Sequence, residues 1–360
     1  MRAGAPGNQM SSQTRGPRKQ RSSAKIDDVA RLAGVSPMTV SRVINKGANV
    51  REETRRKVEA AIAELNYAPS NAARILAGGE DLRIGLLHSN PSFAYLSEFL
   101  VGALEETSAA NAQLLVKPCN EEGGEAKAVA QLLRTRIDGV ILPPPLSDSP
   151  AVLEALKDAD VPVVAVATGR APEWALSVSI DDREAAFTMT HHLAALGHRR
   201  IGFITGHPNQ TASAERLDGY REALSALHLP FDPALVAQGY FTYRSGLEAA
   251  TQLLDLDTPP TAIFASNDDM AAAAITVAHR RGLDVPNQLT VCGYDDTALA
   301  VSVWPELTTI RQPTTDMARR AVRLLIGEIR ARNGGRSAVE HPHVVAEFKL
   351  IRRDSDAGPA

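Results

Sequence analysis

The sequence predicts an all-α helix-turn-helix head followed by an α/β body of two lobes built on parallel sheets. Three observations predict it. Residues 1–79 carry 14 Lys and Arg against 6 Asp and Glu, and residues 80–360 carry 25 against 36, so a net charge of −3 hides a basic head on an acidic body. Within the head, two short amphipathic stretches meet at a tight turn that contains Gly34. After Glu80, short apolar runs alternate with amphipathic stretches, the pattern of parallel strands and their covering helices.

The first helix is expected at Ile26–Ala33. Asp27 and Asp28 complement the dipole in its first turn, Val29, Ala30 and Ala33 form the inward stripe, and Gly34 ends it. Ser36 and Pro37 then cap and open a second helix that runs to about Asn45, with Val40, Val43 and Ile44 facing inward. Its other face presents Met38, Thr39, Ser41, Arg42 and Asn45. A third helix, about Glu52–Leu65, is followed by breakers at Asn66, Tyr67 and Pro69. Residues 71–77 form a weakly amphipathic stretch too short to be a stable helix alone. A basic tail at residues 1–24, a capped second helix and a polar exposed face together favour a DNA-binding head over a plain helical bundle.

In the body, strands are expected near 83–87, 114–117, 139–142, 162–166, 200–205, 261–265 and 289–293. Helices are expected near 95–110, 125–136, 182–196, 212–227, 244–255, 268–281 and 316–332. Seven such units exceed one compact sheet, so two lobes with a cleft between them fit better. The organisation read from this is a disordered basic tail (1–24), a helix-turn-helix DNA-binding domain (25–69), a short helix and linker (70–80), a two-lobed body (81–354) and a C-terminal tail (355–360).

Other classes fit poorly. No apolar run approaches a membrane span, and residues 1–24 lack the apolar core of a secretory signal, so a reducing cytoplasm is the expected compartment. Cys119 and Cys292 offer neither a disulfide framework nor metal spacing. His191-His192 lacks a third ligand and reads as solvated or capping. Asp181-Asp182 reads as a helix cap at a lobe crossing. Gly78-Gly79 and Gly123-Gly124 lack the flanks of a phosphate loop. No nucleophile–base pair can be argued, so no enzyme, cofactor or metal is expected.

Residues 26–79 contain D-V-A-x-x-A-G-V-S, T-V-S-R-V-x-N, T-R-x-K-V and L-N-Y-x-P in order, and in this they resemble the DNA-binding head of the lactose/galactose repressor (LacI/GalR) family. The likeness continues through D-G-V-I, L-G-H-R-R-I, A-S-N-D, V-x-G-Y-D-D and L-T-T-I-R-Q to about residue 353. It implies a type I periplasmic-binding-protein-like body whose chain crosses three times between lobes. It places Pro37, Met38 and Arg42 at the bases, and Thr39, Ser41 and Asn45 at phosphates. It makes 71–77 a hinge helix, with Ala73 and Leu76 at the DNA and Leu76 wedged into the minor groove. Lys25 stands where the family usually has a Thr-like cap, and Arg51 where it has Ser. As a cation Arg51 suits a phosphate contact.

In the body the resemblance points to Arg216, Phe241, Asn267 and Asp295 as ligand-binding residues, with Ser89 and Phe93 at the cleft rim. Arg216 suits vicinal hydroxyls or a carboxylate; the competing reading is a surface helix charge. Asp295 suits two hydroxyl protons, against a loop or cap role. Phe241 is a sugar-stacking ring or ordinary core, and Trp304 approaches the cleft or packs in the core. Ala167-Thr168 stands where several sugar-responsive members have Asp. The reading is a homodimeric repressor of a pseudo-palindromic operator in double-stranded DNA, controlled by a small polar effector such as a sugar. Nothing after Arg352 resembles the tetramer-forming heptads of some relatives. The alternatives are control by a protein corepressor and, from another class, a solute-binding transport receptor.

The charge partition generates one expectation. Affinity for duplex DNA should fall linearly on a log–log plot with salt, by about 10³-fold or more between 50 and 200 mM if the head meets about six to ten phosphates. Fluorescence anisotropy measures it, and a flat profile removes the DNA reading.

Overall fold

The structure is a computed structural model and describes residues 25–44, 50–65, 67, 82–119, 124–334 and 343–359. The chain divides into two compact units, residues 1–81 and 82–360. The expected tail at 1–24 and hinge helix at 71–77, with Asn45, Ala73 and Leu76, lie outside the described residues.

The head has three helices: α1 Ile26–Ala33, α2 Pro37–Ile44 and α3 Glu52–Glu64. Gly34 takes the left-handed conformation (φ 66°) and its N–H closes on the carbonyls of Ala30 and Arg31, as a C-cap glycine can without a Cβ clash. Lys25 has no capping side chain, and Asp28 substitutes by reaching back to accept from the Lys25 N–H at 2.9 Å. Val29, Ala30, Val40, Val43, Val58 and Ala61 make a buried core. Tyr67, expected only as a breaker, is part of that core, and its N–H bonds to the Ile62 carbonyl at 3.0 Å.

The body begins with β1 Arg83–His88, α4 Phe93–Ala109, β2 Gln113–Pro118, α5 Glu125–Leu133, β3 Gly139–Leu142, α6 Pro150–Asp158, β4 Val163–Val166 and β5 Leu176–Ser179. It continues with α7 Asp182–Ala195, β6 Ile201–Thr205, α8 Thr211–Ala226, β7 Val236–Gln238, α9 Tyr243–Leu254, β8 Ala262–Ala265, α10 Asp268–Arg280 and β9 Thr290–Asp295. The last elements are β10 Thr308–Arg311, α11 Thr314–Asn333, β11 His343–Val345 and β12 Lys349–Ile351. Lobe one holds the sheet β11-β5-β4-β3-β1-β2 and lobe two the sheet β12-β10-β9-β8-β6-β7. All pairings are parallel except β10 with β12.

The sheets are parallel because their central strands are apolar throughout. Every residue of β3, β4 and β8 is buried, as helices on both sheet faces require. Sheet membership shows three lobe crossings: β5 to α7, β10 to α11, and β11 to β12. The elements that periodicity overlooks are α6 and five short strands, β5, β7, β10, β11 and β12. Those strands have three or four residues each, too few for a period to register.

The expected C-terminal tail is corrected. Ser355 and Asp356 are buried, and the segment is sewn into lobe two. Ser355 Oγ donates to the Val291 carbonyl at 2.6 Å, Thr308 Oγ1 donates to Asp356 at 2.5 Å, and Thr290 exchanges bonds with Ala357. His192, expected to be solvated or capping, instead pairs with Asp356 at 2.7 Å. A polar segment folds back here because lobe two offers it hydrogen-bonding groups at the β9 and β10 starts.

Burial raises the Asp356 carboxyl's pKa, but bonds from His192 and Thr308 and the charge of Arg352 outweigh it, for a net lowering. A lowered folded pKa stabilises above the unfolded carboxylate value of about 3.9 and is lost as pH falls through the folded value. Urea unfolding should therefore show Asp356→Asn less stable than the parent at pH 7, with the gap closing below about pH 4. A gap that widens in acid contradicts this.

Candidate functional site

The head presents one face of α2. The Ser36 hydroxyl accepts from the Thr39 N–H at 3.2 Å and lies 3.0 Å from the Thr39 hydroxyl, which fixes the start of the helix. Pro37, Met38 and Arg42 are exposed, with Met38 66% accessible. Met38 and Arg42 are four residues apart and share a face. Thr39 and Ser41 are half-buried beside them. Arg51 is exposed at the N-cap of α3, where its side chain makes no cap bond.

In the body, the pocket forms where strands end. Asn90 follows β1, Pro144 follows β3 and Ala167 follows β4 in lobe one. Gln210 follows β6, Asn267 follows β8, Asp295 ends β9 and Gln312 follows β10 in lobe two. Parallel strands deliver their carboxyl ends to one edge, which is where open α/β sheets bind ligands. The space is about 380 Å³ with its open mouth, near the small end of ligand sites, about 300–1,000 Å³. Residues of both lobes line it, so the lobes meet over the pocket.

Two polar latches draw them. Ser92 of lobe one donates to Asp269 of lobe two at 2.7 Å. Across the pocket, Asp148 of lobe one accepts from the Thr211 N–H at 2.9 Å and the Thr211 hydroxyl at 2.8 Å. Thr168 supports the second latch by donating to Asp148 at 2.6 Å. Thr168 therefore serves lobe closure, while Ala167 lines the pocket.

Arg216 projects from α8 and is buried. Its Nε donates to Asp182 at 2.7 Å and its Nη1 to the Ser266 carbonyl at 2.5 Å. Its Cζ lies 3.6 Å from the centroid of the Tyr294 ring, a cation–π stack, and Tyr294 in turn donates to Asp182 at 2.7 Å. Burial works against the charge, yet Asp182, Tyr294 and Asp295 hold the guanidinium proton more tightly than usual. This is not a surface helix charge. Asp295 accepts from Gln312 Nε2 at 2.5 Å. Burial pushes its carboxyl well up, opposed by Arg216 and reinforced by Asp268. Asp268, bonded by Thr297 and Thr309, is pushed up to about 7 by burial.

Asn267 caps α10 by accepting from the Met270 N–H at 3.0 Å, and its amide donates to the Phe241 carbonyl at 3.1 Å. Phe241 is buried, and a Cβ at Gly206 would fall inside its ring, so glycine is needed there. Ala167 (φ 51°), Phe241 (φ 59°) and Asp295 (φ 110°) line the pocket in left-handed or rarer backbone conformations. Each costs about 1–3 kcal/mol, and such strain gathers at functional sites.

The structure thus brings Arg216, Phe241, Asn267 and Asp295 together and leaves two expectations out. Ser89 does not line the pocket, and the Phe93 side chain is 84% exposed. Ser92 caps α4 by accepting from the Tyr95 N–H, which turns Tyr95 inward and Phe93 outward; Asn90, Ser92 and Tyr95 line the pocket instead. Trp304 is neither core nor cleft but 77% exposed. Asp181 is a cap, accepting from the Glu184 N–H at 2.9 Å, whereas Asp182 is the partner of Arg216. Gln312 lay in the L-T-T-I-R-Q motif and was the most legible of the overlooked residues. Among the described residues no three His, Cys, Asp or Glu gather as metal ligands, and no helix is long and apolar enough to cross a membrane.

The model of bacterial regulatory proteins of the lacI family matches residues 25–70, and that of a periplasmic binding protein-like domain matches residues 190–355. Catabolite control protein A of Priestia megaterium is 35% identical over 328 residues, 90% of this chain and 98% of its own length. The chain belongs to the lacI family. The HTH-type transcriptional repressor CytR of Escherichia coli (strain K12) is 35% identical over 321 residues, 88% of this chain and 93% of its own. A lac repressor dimer bound to operator and the anti-inducer ONPF matches with TM-score 0.74 at 29% identity, over 93% of this chain and 100% of that one. The transcriptional regulator CelR–cellobiose complex matches with TM-score 0.70 at 33% identity, over 92% and 99%. This lacI-family chain is a DNA-binding transcriptional regulator and not an enzyme.

Removing one partner of a buried ion pair leaves a charge without compensation. Asp182→Ala should therefore cost about 3–5 kcal/mol in urea unfolding, and adding Arg216→Met should recover much of it. A single variant within about 1 kcal/mol of the parent would show that the pair is not a structural keystone.

Proposed function

We propose that this lacI-family regulator is a homodimeric repressor whose grip on a pseudo-palindromic operator is set by a small polar ligand, a sugar above all, in the pocket around Arg216 and Asp295. The observation that carries it is Arg216: buried, stacked on Tyr294 and held at the meeting point of strand ends from both lobes. A closed dry bundle has no need of such a residue, and its burial must be offset by precise partners. Related structures, an operator-bound dimer with an anti-inducer and a cellobiose complex, support the same pairing of roles.

On the DNA side, α2 would enter the major groove. Pro37 and Met38 offer bases no strong donor, so Arg42, with its bidentate fit to guanine, would lead the readout. Thr39, Ser41, Asn45 and Arg51 would meet phosphates and set register. Ala73 and Leu76 would lie at the minor groove, where an inserted leucine unstacks a step and bends the duplex. On the ligand side, a guest that binds one lobe angle better than another shifts the population toward it by its differential affinity. The two latches, neutral or singly charged, are contacts that such a shift would make or break.

A coupling of this kind spans about 1–3 kcal/mol, or about 5–150-fold in operator affinity. Anisotropy with an operator selected from a random duplex pool, titrated with sugars, should show it for the parent chain. Arg216→Ala should keep DNA binding and lose the response. If both chains respond alike, the pocket is not the control site.

A further inference from the structure

The helix that carries Arg216, α8, does not complete its own start. The first N–H groups of a helix find no partner inside it. At α4, α6, α7, α9 and α10 the residue before the helix meets that need with its side chain: Ser92, Ser149, Asp181, Thr242 and Asn267. Gln210 holds the same place before Thr211, with the extended backbone of a cap (φ −111°, ψ 123°). Its side chain makes no cap bond and lines the pocket instead. The first turn of α8 also holds no acidic residue, so the turn itself does not offset the positive end of the helix dipole.

Lobe one supplies what is missing. Asp148 ends a short 3₁₀ turn, Leu146–Asp148, that follows β3. One of its carboxylate oxygens accepts from the Thr211 N–H at 2.9 Å, and the other from the Thr211 hydroxyl at 2.8 Å. Buried Thr168 donates to that second oxygen at 2.6 Å, and the Gly169 N–H donates to the Thr211 hydroxyl at 2.8 Å. Three residues of lobe one thus converge on the first residue of a lobe-two helix, and Asp148 brings the negative charge that a helix start favours. Opening the lobes strips this cap from α8, and closing them restores it. A cap of this kind shifts an equilibrium by about fivefold.

We propose that Asp148 is the N-cap of α8 delivered from the opposite lobe, so that the helix carrying Arg216 is complete only in the closed form and its completion holds the lobes together. This goes beyond the reading of the pocket as the control site and does not depend on it. Amide exchange by mass spectrometry and small-angle scattering of the full chain, without ligand, test it together. Asp148→Ala should speed exchange at the start of α8 by about fivefold and raise the radius of gyration. Asp148→Asn, which keeps an acceptor, should do less. Adding Gln210→Asp to Asp148→Ala gives α8 a cap of its own. Exchange at the helix start should then slow again while the lobes stay apart, a separation that mere loss of packing does not produce. Thr211→Val removes only the hydroxyl bonds; it should move both readouts the same way by less, and it serves if Asp148→Ala does not fold. Four results overturn the proposal: unchanged exchange at α8, an unchanged radius, faster exchange spread through α6 and the rest of lobe one, or a double variant no better protected than the single one.

Discussion

The cleft is organised by one buried ion pair. Arg216 reaches across from α8, Asp182 opens α7 at a lobe crossing, and Tyr294 ends in a bond to the same carboxylate while its ring carries the guanidinium. Burying either charge alone costs several kcal/mol, so the geometry must be tight. That tightness ties three separate pieces of the chain, near residues 182, 216 and 294, to one point beside the crossing.

Parallel topology supplies the rest of the wall. Sheets that run in one direction bring polar residues to a common edge without exposing their apolar interiors. The cost gathers at that edge, in the strained backbones of Ala167, Phe241 and Asp295 and in carboxyls pushed up by burial. Lobe closure then rests on few polar contacts. Ser92 with Asp269, and Asp148 and Gly169 with Thr211, bridge the lobes beside the three chain crossings. Contacts of that kind contribute about 0.5–3 kcal/mol each, a scale that ligand binding can override.

The head follows a different logic. Its helices have 8, 8 and 13 residues, too short to persist alone. They hold through caps from Ser36, Asp28 and Gly34 and through a small valine-rich core. The outer face of α2 is thereby left free of structural duty, so Pro37, Met38 and Arg42 are available for recognition.

Local chemistry alone determined the helices of the head, the strand–helix alternation of the body and the caps at Ser36 and Asp181. Each depends on neighbours within a few residues, which a sequence displays directly. The grouping of Arg216, Phe241, Asn267 and Asp295 was legible too, through motifs at strand ends. Only the tertiary structure decided the rest. Asp182 is a cap by its local sequence and an ion-pair partner by its contacts, 34 residues from Arg216 and 112 from Tyr294. Ser355 and Asp356 look like a tail until Thr308, His192 and Val291 meet them across the fold. Phe93 turns outward and Tyr95 inward because Ser92 sets the helix start. These outcomes depend on which distant groups arrive at the same place, and spacing along the chain carries no record of that.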